Sequence, residues 1–339
     1  MNELGVHDMA TPKIEASNME IPNKQSLFDI KKLLHILNKF TIFFILLAMV
    51  IILSIIEPNF LTSVNLLNIV RQITLIAIIG FGLTMIIITT GIDLSPGSIV
   101  AIVSVASAMY AHPGEYPLVV SIIVGLLLGV AAGLINGLIV SNLKIPAFIV
   151  TLGMMISARG VSYIFSDGHP ITGFSKDFDF IGRGYVFGIP FMIYVLVLVG
   201  IVSHIILRHT RLGKSIYAIG GNEQAAVVSG INVKRTLLFV YMYGGLMAGV
   251  AGIMLASRIG AGQPTAGLGY ELDAIAAVVI GGTSLMGGVG TIVGTLIGAL
   301  IIGVLNNGMD LMHVSGYWQQ VLKGVIIVGA IILDKYRNQ

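Results

Sequence analysis

The longest stretch without a charged side chain is the feature that most restricts how this chain can fold. Between Ala274 and Met309 there is no Asp, Glu, Lys or Arg. A membrane-spanning helix needs about 20 predominantly apolar residues, so this block holds one span and most of another. Charged residues make up only 10% of the whole chain and apolar residues 56%, whereas ordinary globular chains carry roughly 25% charged residues. The sequence therefore predicts an all-α polytopic membrane protein.

Apolar runs separated by turn residues and charges predict ten transmembrane helices. Ten spans divide into two halves of five, and because five is odd the halves would be inverted relative to each other. We expect a membrane domain over residues 40–335, preceded by a polar cytoplasmic tail over residues 1–39. The predicted spans are 40–56, 66–90, 96–111, 117–140, 146–166, 190–207, 237–257, 271–286, 289–309 and 316–334.

Basic residues between the spans predict the orientation in the membrane. Lys144, the loop at 209–236 and the Lys335/Arg337 tail all fall on one side, whereas Glu57 and Glu115 fall on the other. Short cytoplasmic loops carry an excess of Lys and Arg. The pattern predicts that both termini are cytoplasmic.

The loop at 209–236 is long and polar and contains the signals of a short helix. Asn222 can cap its N-terminus, Glu223 would lie in the first turn, and Gly230 can take a left-handed conformation after its last residue. The small apolar surface of Ala225–Val228 suits insertion into a groove on a partner protein. An ordinary connecting loop is the alternative.

Several kinds of chemistry are excluded by composition and spacing. The chain has no cysteine, and its seven histidines are scattered without the spacing of metal ligands. Gly213–Ser215 looks like the end of a phosphate-binding loop, but that motif requires glycine where Arg208 stands. Gly281–Gly290 misses the dinucleotide fingerprint and is interpreted as a turn between two spans. We therefore expect no catalytic residue, metal or cofactor, and no nucleic-acid partner, since the net charge of +3 comes from the loops between spans.

Polar side chains in or near the spans are candidates for a substrate pathway, because such residues are expensive in a membrane and often functional. Asp273 could instead cap its helix, and the asparagines could instead bridge helices. Arg71 and Lys323 are expected to extend to an interface. The candidates are Asp93, Asn136, Asp273, Asn306 and Asn307.

Glycines recur at every fourth position in two spans. Such ridges allow close approach of helices in lipid, and we expect Gly133 and Gly294 each to lie at a close helix crossing. The ridges are Gly125, Gly129, Gly133 and Gly137 in the fourth span, and Gly290, Gly294 and Gly298 in the ninth.

A series of segments in this order resembles the permease subunit of bacterial ribose-type sugar importers of the ATP-binding cassette class. The resemblance covers the chain from about residue 40 to the C-terminus. The segments are Thr90–Ser95, His209–Lys214, Gly220–Glu223, Ser229–Val233, Gln263–Ala277, Gly281–Ser284 and Leu305–Gly308.

The resemblance implies a multi-pass protein of the bacterial inner membrane that works as a homodimer with cytosolic ATPase subunits and an extracytoplasmic sugar-binding protein. It implies ribose as substrate, with galactose, xylose or autoinducer-2 as alternatives, and no enzymatic activity of the chain itself. An ion-coupled secondary sugar symporter is the rival class, which would need a carboxylate relay in the membrane. The residues implied in coupling to the ATPase are Gly221, Asn222, Glu223, Ala225, Ala226, Ser229 and Gly230.

Overall fold

The computed structural model describes residues 42–337, without the side chains at 327, 330, 331 and 333–337. The predicted tail at 1–39 lies outside the described residues. The helices of the described chain are α1 (Ile42–Ile56), α2 (Ser63–Ile88), α3 (Pro96–Met109), α4 (Leu118–Leu143), α5 (Ala147–Ser166), α6 (Lys176–Arg183), α7 (Phe191–His209), α8 (Arg211–Gly221), α9 (Glu223–Val228), α10 (Val233–Ile259), α11 (Tyr270–Ile280), α12 (Ile292–Leu311) and α13 (Gly316–Arg337). The strands are β1 (Ile171–Thr172), β2 (Tyr185–Val186), β3 (Ile189–Pro190) and β4 (Ala261–Gly262), paired antiparallel as β1–β4 and β2–β3.

Each of the ten predicted spans overlaps one helix, and the three additional helices, α6, α8 and α9, lie in the two long loops. Within the described residues, six helices are long and apolar enough to cross a membrane: α2, α4, α5, α7, α10 and α12. The α3 helix has 14 residues and α11 has 11, which is short for a full crossing. The all-α polytopic membrane class is confirmed. Ten crossings and cytoplasmic termini stay predictions.

The α2 helix lies at the centre of the molecule. Every residue from Ile73 to Thr89 is buried, and α2 packs against α7, α10, α11 and α12. The α10 helix lies against both α2 and α4. The α2 and α10 helices therefore form the core that holds the shorter helices α3 and α11 in place.

The glycine ridge of α4 packs against α10. A Cβ atom at Gly129 would lie 2.9 Å from the Cα of Gly249, and one at Gly133 would overlap the carbonyl oxygen of Tyr241. At these distances only glycine lets the two backbones meet. The expected close crossing at Gly133 is confirmed.

The ridge near α12 packs against α11. A Cβ at Gly294 would overlap the carbonyl oxygen of Gly281, and one at Gly298 would overlap that of Ala277. Gly290 lies before α12 begins at Ile292, so it belongs to the preceding turn. The expected close crossing at Gly294 is also confirmed.

The segment between α5 and α7 is folded against the end of α10. The hydroxyl of Ser257 donates a hydrogen bond to the carbonyl oxygen of Phe178 at 2.6 Å and accepts one from the backbone N–H of Gly182 at 2.7 Å. Two residues after α6 ends, the β2–β3 hairpin leads directly into α7. This segment therefore lies at the end of the molecule opposite to α8 and α9.

Candidate coupling and pathway sites

The short helix expected in the polar loop is α9. The Asn222 side-chain oxygen accepts a hydrogen bond from the backbone N–H of Ala225 at 2.9 Å, and Glu223 occupies the first turn. At the other end Gly230 has φ +80° and its N–H donates to the carbonyl oxygen of Val227. The two caps therefore delimit the helix as the sequence predicts.

The apolar residues of α9 do not all face outwards. Ala226 is 3% exposed and is covered by the chain itself, whereas Val228 is 89% exposed and Val227 55%. A helix turns by about 100° per residue, so four consecutive residues cannot share one face. The surface open to a partner consists of Ala225, Val227 and Val228, without Ala226.

The α8 helix joins α9 to the membrane helices through a close backbone contact. Gly220 lies so near the carbonyl oxygen of Ile88, at the end of α2, that a Cβ atom would overlap it. The same carbonyl accepts a hydrogen bond from the N–H of Gly288 at 2.9 Å. The α8 helix is therefore packed against both the end of α2 and the turn before α12.

A second link is made by Tyr217 of α8. Its hydroxyl donates to the carbonyl oxygen of Gly290 at 2.7 Å. Burial raises the pKa of Tyr217, an effect that Arg208 partly offsets, so the phenol stays protonated and remains a donor at neutral pH.

The segment 281–290 is a packed turn. Thr283 and Ser284 are buried, and the N–H of Ser284 donates to the carbonyl oxygen of Val289 at 3.0 Å. Its contact with α8 is not predicted by the sequence analysis. The glycine pair just before Asn222 is the signal that could have indicated it.

Asp93 and Asn136 are brought together by Ser95 in the break between α2 and α3. Asp93 Oδ1 accepts two hydrogen bonds from Ser95, one from its backbone N–H at 2.8 Å and one from its side-chain hydroxyl at 2.6 Å. Asn136 Nδ2 donates to the Ser95 hydroxyl oxygen at 3.0 Å. All three side chains are buried. This group links the break to α4.

Asp273 and Asn306 form a separate group with Lys323. Asp273 Oδ2 lies 2.9 Å from Lys323 Nζ and accepts a 3.4 Å hydrogen bond from Asn306 Nδ2. The N-cap position of α11 belongs to Gly269, so Asp273 does not cap its helix. Lys323, which the sequence analysis expects to extend to an interface, is paired with this carboxylate. It ties α13 to α11.

Asn307 bridges two helices. Its Nδ2 donates to Asn65 Oδ1 at 2.7 Å, and Asn65 Nδ2 donates to Asn307 Oδ1 at 2.9 Å. The amide pair satisfies both side chains and joins α12 to the start of α2. The bridging interpretation of Asn307 is the one that these bonds support. A role of the other candidates in a pathway stays a prediction.

A cavity of about 440 Å³ lies between α9 and the membrane helices. Glu223 and Val227 of α9 line one side, and Lys144 of the α4–α5 connection lines another. Gly91 and Tyr241 line the side next to Asp93. The short helix and the break in the membrane helices therefore border one cavity.

Residues 65–331 match the protein family described as the permease component of the branched-chain amino acid transport system. The chain belongs to this permease family. It is a multi-pass protein of the bacterial inner membrane. No solved structure matches the chain significantly.

Individual relatives of this permease carry more specific names. The ribose import permease protein RbsC of Bacillus subtilis is 48% identical over 305 residues, which cover 89% of this chain and 94% of the relative. Its counterpart in Haemophilus influenzae is 46% identical over 319 residues, covering 93% and 97%. The galactose/methyl galactoside import permease protein MglC of Haemophilus influenzae is 36% identical over 330 residues, covering 92% and 98%. These relatives confirm the resemblance to ribose-type permeases.

Proposed function

We propose that this chain is the membrane-spanning subunit of a binding-protein-dependent importer that carries a monosaccharide, with ribose as the substrate, into the cytoplasm. The observation that carries the proposal is the 46–48% identity to ribose import permeases over most of both chains. The chain itself is not an enzyme, because ATP hydrolysis belongs to a separate cytosolic subunit. An extracytoplasmic sugar-binding protein delivers the substrate, and two copies of the permease enclose the path.

The proposed topology has ten crossings with both termini in the cytoplasm. It puts Lys144, α8 and α9 on the cytoplasmic side, and α6 with the β2–β3 hairpin on the outer side. The basic residues of the 209–236 loop support this orientation by the positive-inside rule. A cysteine at position 228 should then react with a membrane-impermeant thiol reagent only after sealed cells are opened. The chain has no native cysteine, so this labelling is unambiguous.

In this proposal α9 docks into a groove on the ATPase subunit, and closure of the ATPase pair moves it. The exposed Val227 and Val228 supply the apolar contact, and the caps at Asn222 and Gly230 keep the helix rigid when force is applied. The α8 contacts at Ile88 and Gly290 supply the route by which this motion reaches the membrane helices.

The sugar pathway would use the uncharged polar atoms near the α2–α3 break. Asn136 Oδ1 and the Tyr241 hydroxyl are buried and have no hydrogen-bond partner among the described residues. Buried polar atoms are usually paired, and the hydroxyl groups of a monosaccharide would pair with them as it passes.

The deciding experiment measures ribose uptake into proteoliposomes that contain the permease and its ATPase, with binding protein outside. Uptake should require ATP inside the vesicles together with the binding protein, and a protonophore should leave it unchanged. Accumulation driven by a proton or sodium gradient without ATP would contradict the proposal in favour of a symporter. Galactose serves as the comparison sugar, because the relative MglC is a galactose/methyl galactoside import permease.

A further inference from the structure

The β2–β3 hairpin ends in an unusual turn. Val186 pairs with Ile189, so Phe187 and Gly188 are the two residues of the turn. Their φ angles are +50° and +78°. Positive φ at both central residues is the mark of a type I′ turn.

Phe187 is a poor residue for this position by local criteria. This turn strongly prefers Asn-Gly or Asp-Gly, and a bulky residue at positive φ is a genuine outlier. In addition Phe187 is 96% exposed, so its ring makes almost no contact with the rest of the chain. Neither the turn nor the packing of the chain therefore accounts for phenylalanine at this position, which points to a contact outside the chain.

The position of the hairpin indicates what that contact is. Pro190, the last residue of β3, is the N-cap of the membrane-spanning helix α7. The Tyr194 hydroxyl in the first turn of α7 donates to the carbonyl oxygen of Val186 at 3.0 Å, which holds the hairpin beside the end of the span. Further along α7, Val197, Leu198 and Ile201 are exposed, so the apolar outer surface of the span continues towards the hairpin.

We propose that Phe187 is an interfacial membrane anchor whose ring inserts at the boundary between headgroups and acyl chains, next to the start of α7. Tryptophan and tyrosine are enriched at this depth, and amphipathic segments that lie in the interface insert Phe and Leu side chains at the boundary between headgroups and acyl chains. The irregular backbone of the turn needs water or headgroups for its polar atoms and is not tolerated in the hydrocarbon core. The anchor fixes the depth of the outer end of α7. The placement of Phe187 in the outer leaflet rests on the proposed topology. The contact between its ring and lipid does not depend on that topology.

The test places a fluorescent reporter at the tip. Trp318 is the only tryptophan, so Phe187→Trp in a Trp318→Phe background gives a single emitter in the full-length permease. In nanodiscs its emission should be shifted to the blue, and lipids brominated near the headgroup should quench it more than lipids brominated near the chain end. Val228→Trp in the same background is the matched control, since Val228 is also exposed but lies on α9; it should show water-like emission without quenching.

Two outcomes would overturn the anchor. One is water-like emission at position 187 without quenching in nanodiscs. The other is emission at position 187 that shifts to the blue only when binding protein is added or when two permease copies pair. That result would assign the tip of the hairpin to a protein interface. A nitroxide on Phe187→Cys checks the result independently, because a lipid location makes it more accessible to oxygen than to a water-soluble nickel complex. Neither measurement depends on sugar uptake, so the anchor and the proposed function can fail separately.

Discussion

The hydroxyl of Tyr217 and the carbonyl oxygen of Gly290 are joined by a 2.7 Å hydrogen bond. This bond ties α8, which leads into the exposed helix α9, to the turn between α11 and α12. Together with the contact of Gly220 on Ile88, it connects α9, a capped helix with exposed apolar side chains, to the buried centre of the molecule.

Tyr217→Phe should reduce transport without preventing ATPase binding. The substitution leaves the Gly290 carbonyl without its donor, at a cost of about 1–3 kcal/mol if no water replaces it, and loosens α8 from the turn. We expect slower uptake at an unchanged yield of co-purified ATPase, measured in proteoliposomes. Tyr116→Phe, at an exposed tyrosine on the opposite side, is the control. If both variants take up ribose at the same rate, the hydrogen bond between Tyr217 and Gly290 has no part in coupling.

Gly220→Ala should impair folding, whereas Gly221→Ala should not. A Cβ at Gly220 would overlap the Ile88 carbonyl oxygen, while one at Gly221 meets nothing within 4 Å. Replacing a helical glycine in open space typically stabilises by about 0.4–1 kcal/mol. The measurement is the folded fraction and melting temperature in detergent. If the two variants melt alike, α8 does not depend on close approach to α2.

Val228→Arg should abolish co-purification of the ATPase while the permease itself stays as stable as before. The side chain is 89% exposed, so a charge costs the isolated chain little, but it would be desolvated in an apolar groove. Ala226→Arg is the contrast, because Ala226 is buried and the substitution should lower the melting temperature. Normal ATPase binding by the Val228 variant would place the docking surface elsewhere.

Asp273→Asn should destabilise the protein through Lys323. The two side chains are 8% and 28% exposed, and removal of one partner of a buried pair leaves the other charge uncompensated, at about 3–5 kcal/mol when burial is complete. We expect a smaller loss here, because Lys323 is partly exposed. The double variant Asp273→Asn, Lys323→Met should recover part of the melting temperature. A double variant that is no more stable than the single one would show that the pair is not coupled.

The sequence by itself determined the membrane class and the approximate location of ten helices. Apolar runs near 20 residues long and basic loops are local signals, and each predicted span overlaps a helix. It also determined α9, because the caps at Asn222 and Gly230 act on backbone groups within a few residues. The helix starts were less accurate: Pro117, Pro146 and Pro190 occupy N-cap positions, one residue before the helix, where an extended backbone accommodates proline.

Only the tertiary structure decided which face of each element is covered and which distant residues meet. Ala226 points inwards because α8 and α10 hold α9 in one rotation. Asp273 pairs with Lys323, 50 positions away, and Gly220, Ile88 and Gly288 converge from three separate segments. Such contacts depend on the relative placement of whole helices, which is set by the sum of many packing contacts, and no local pattern of residues encodes that sum.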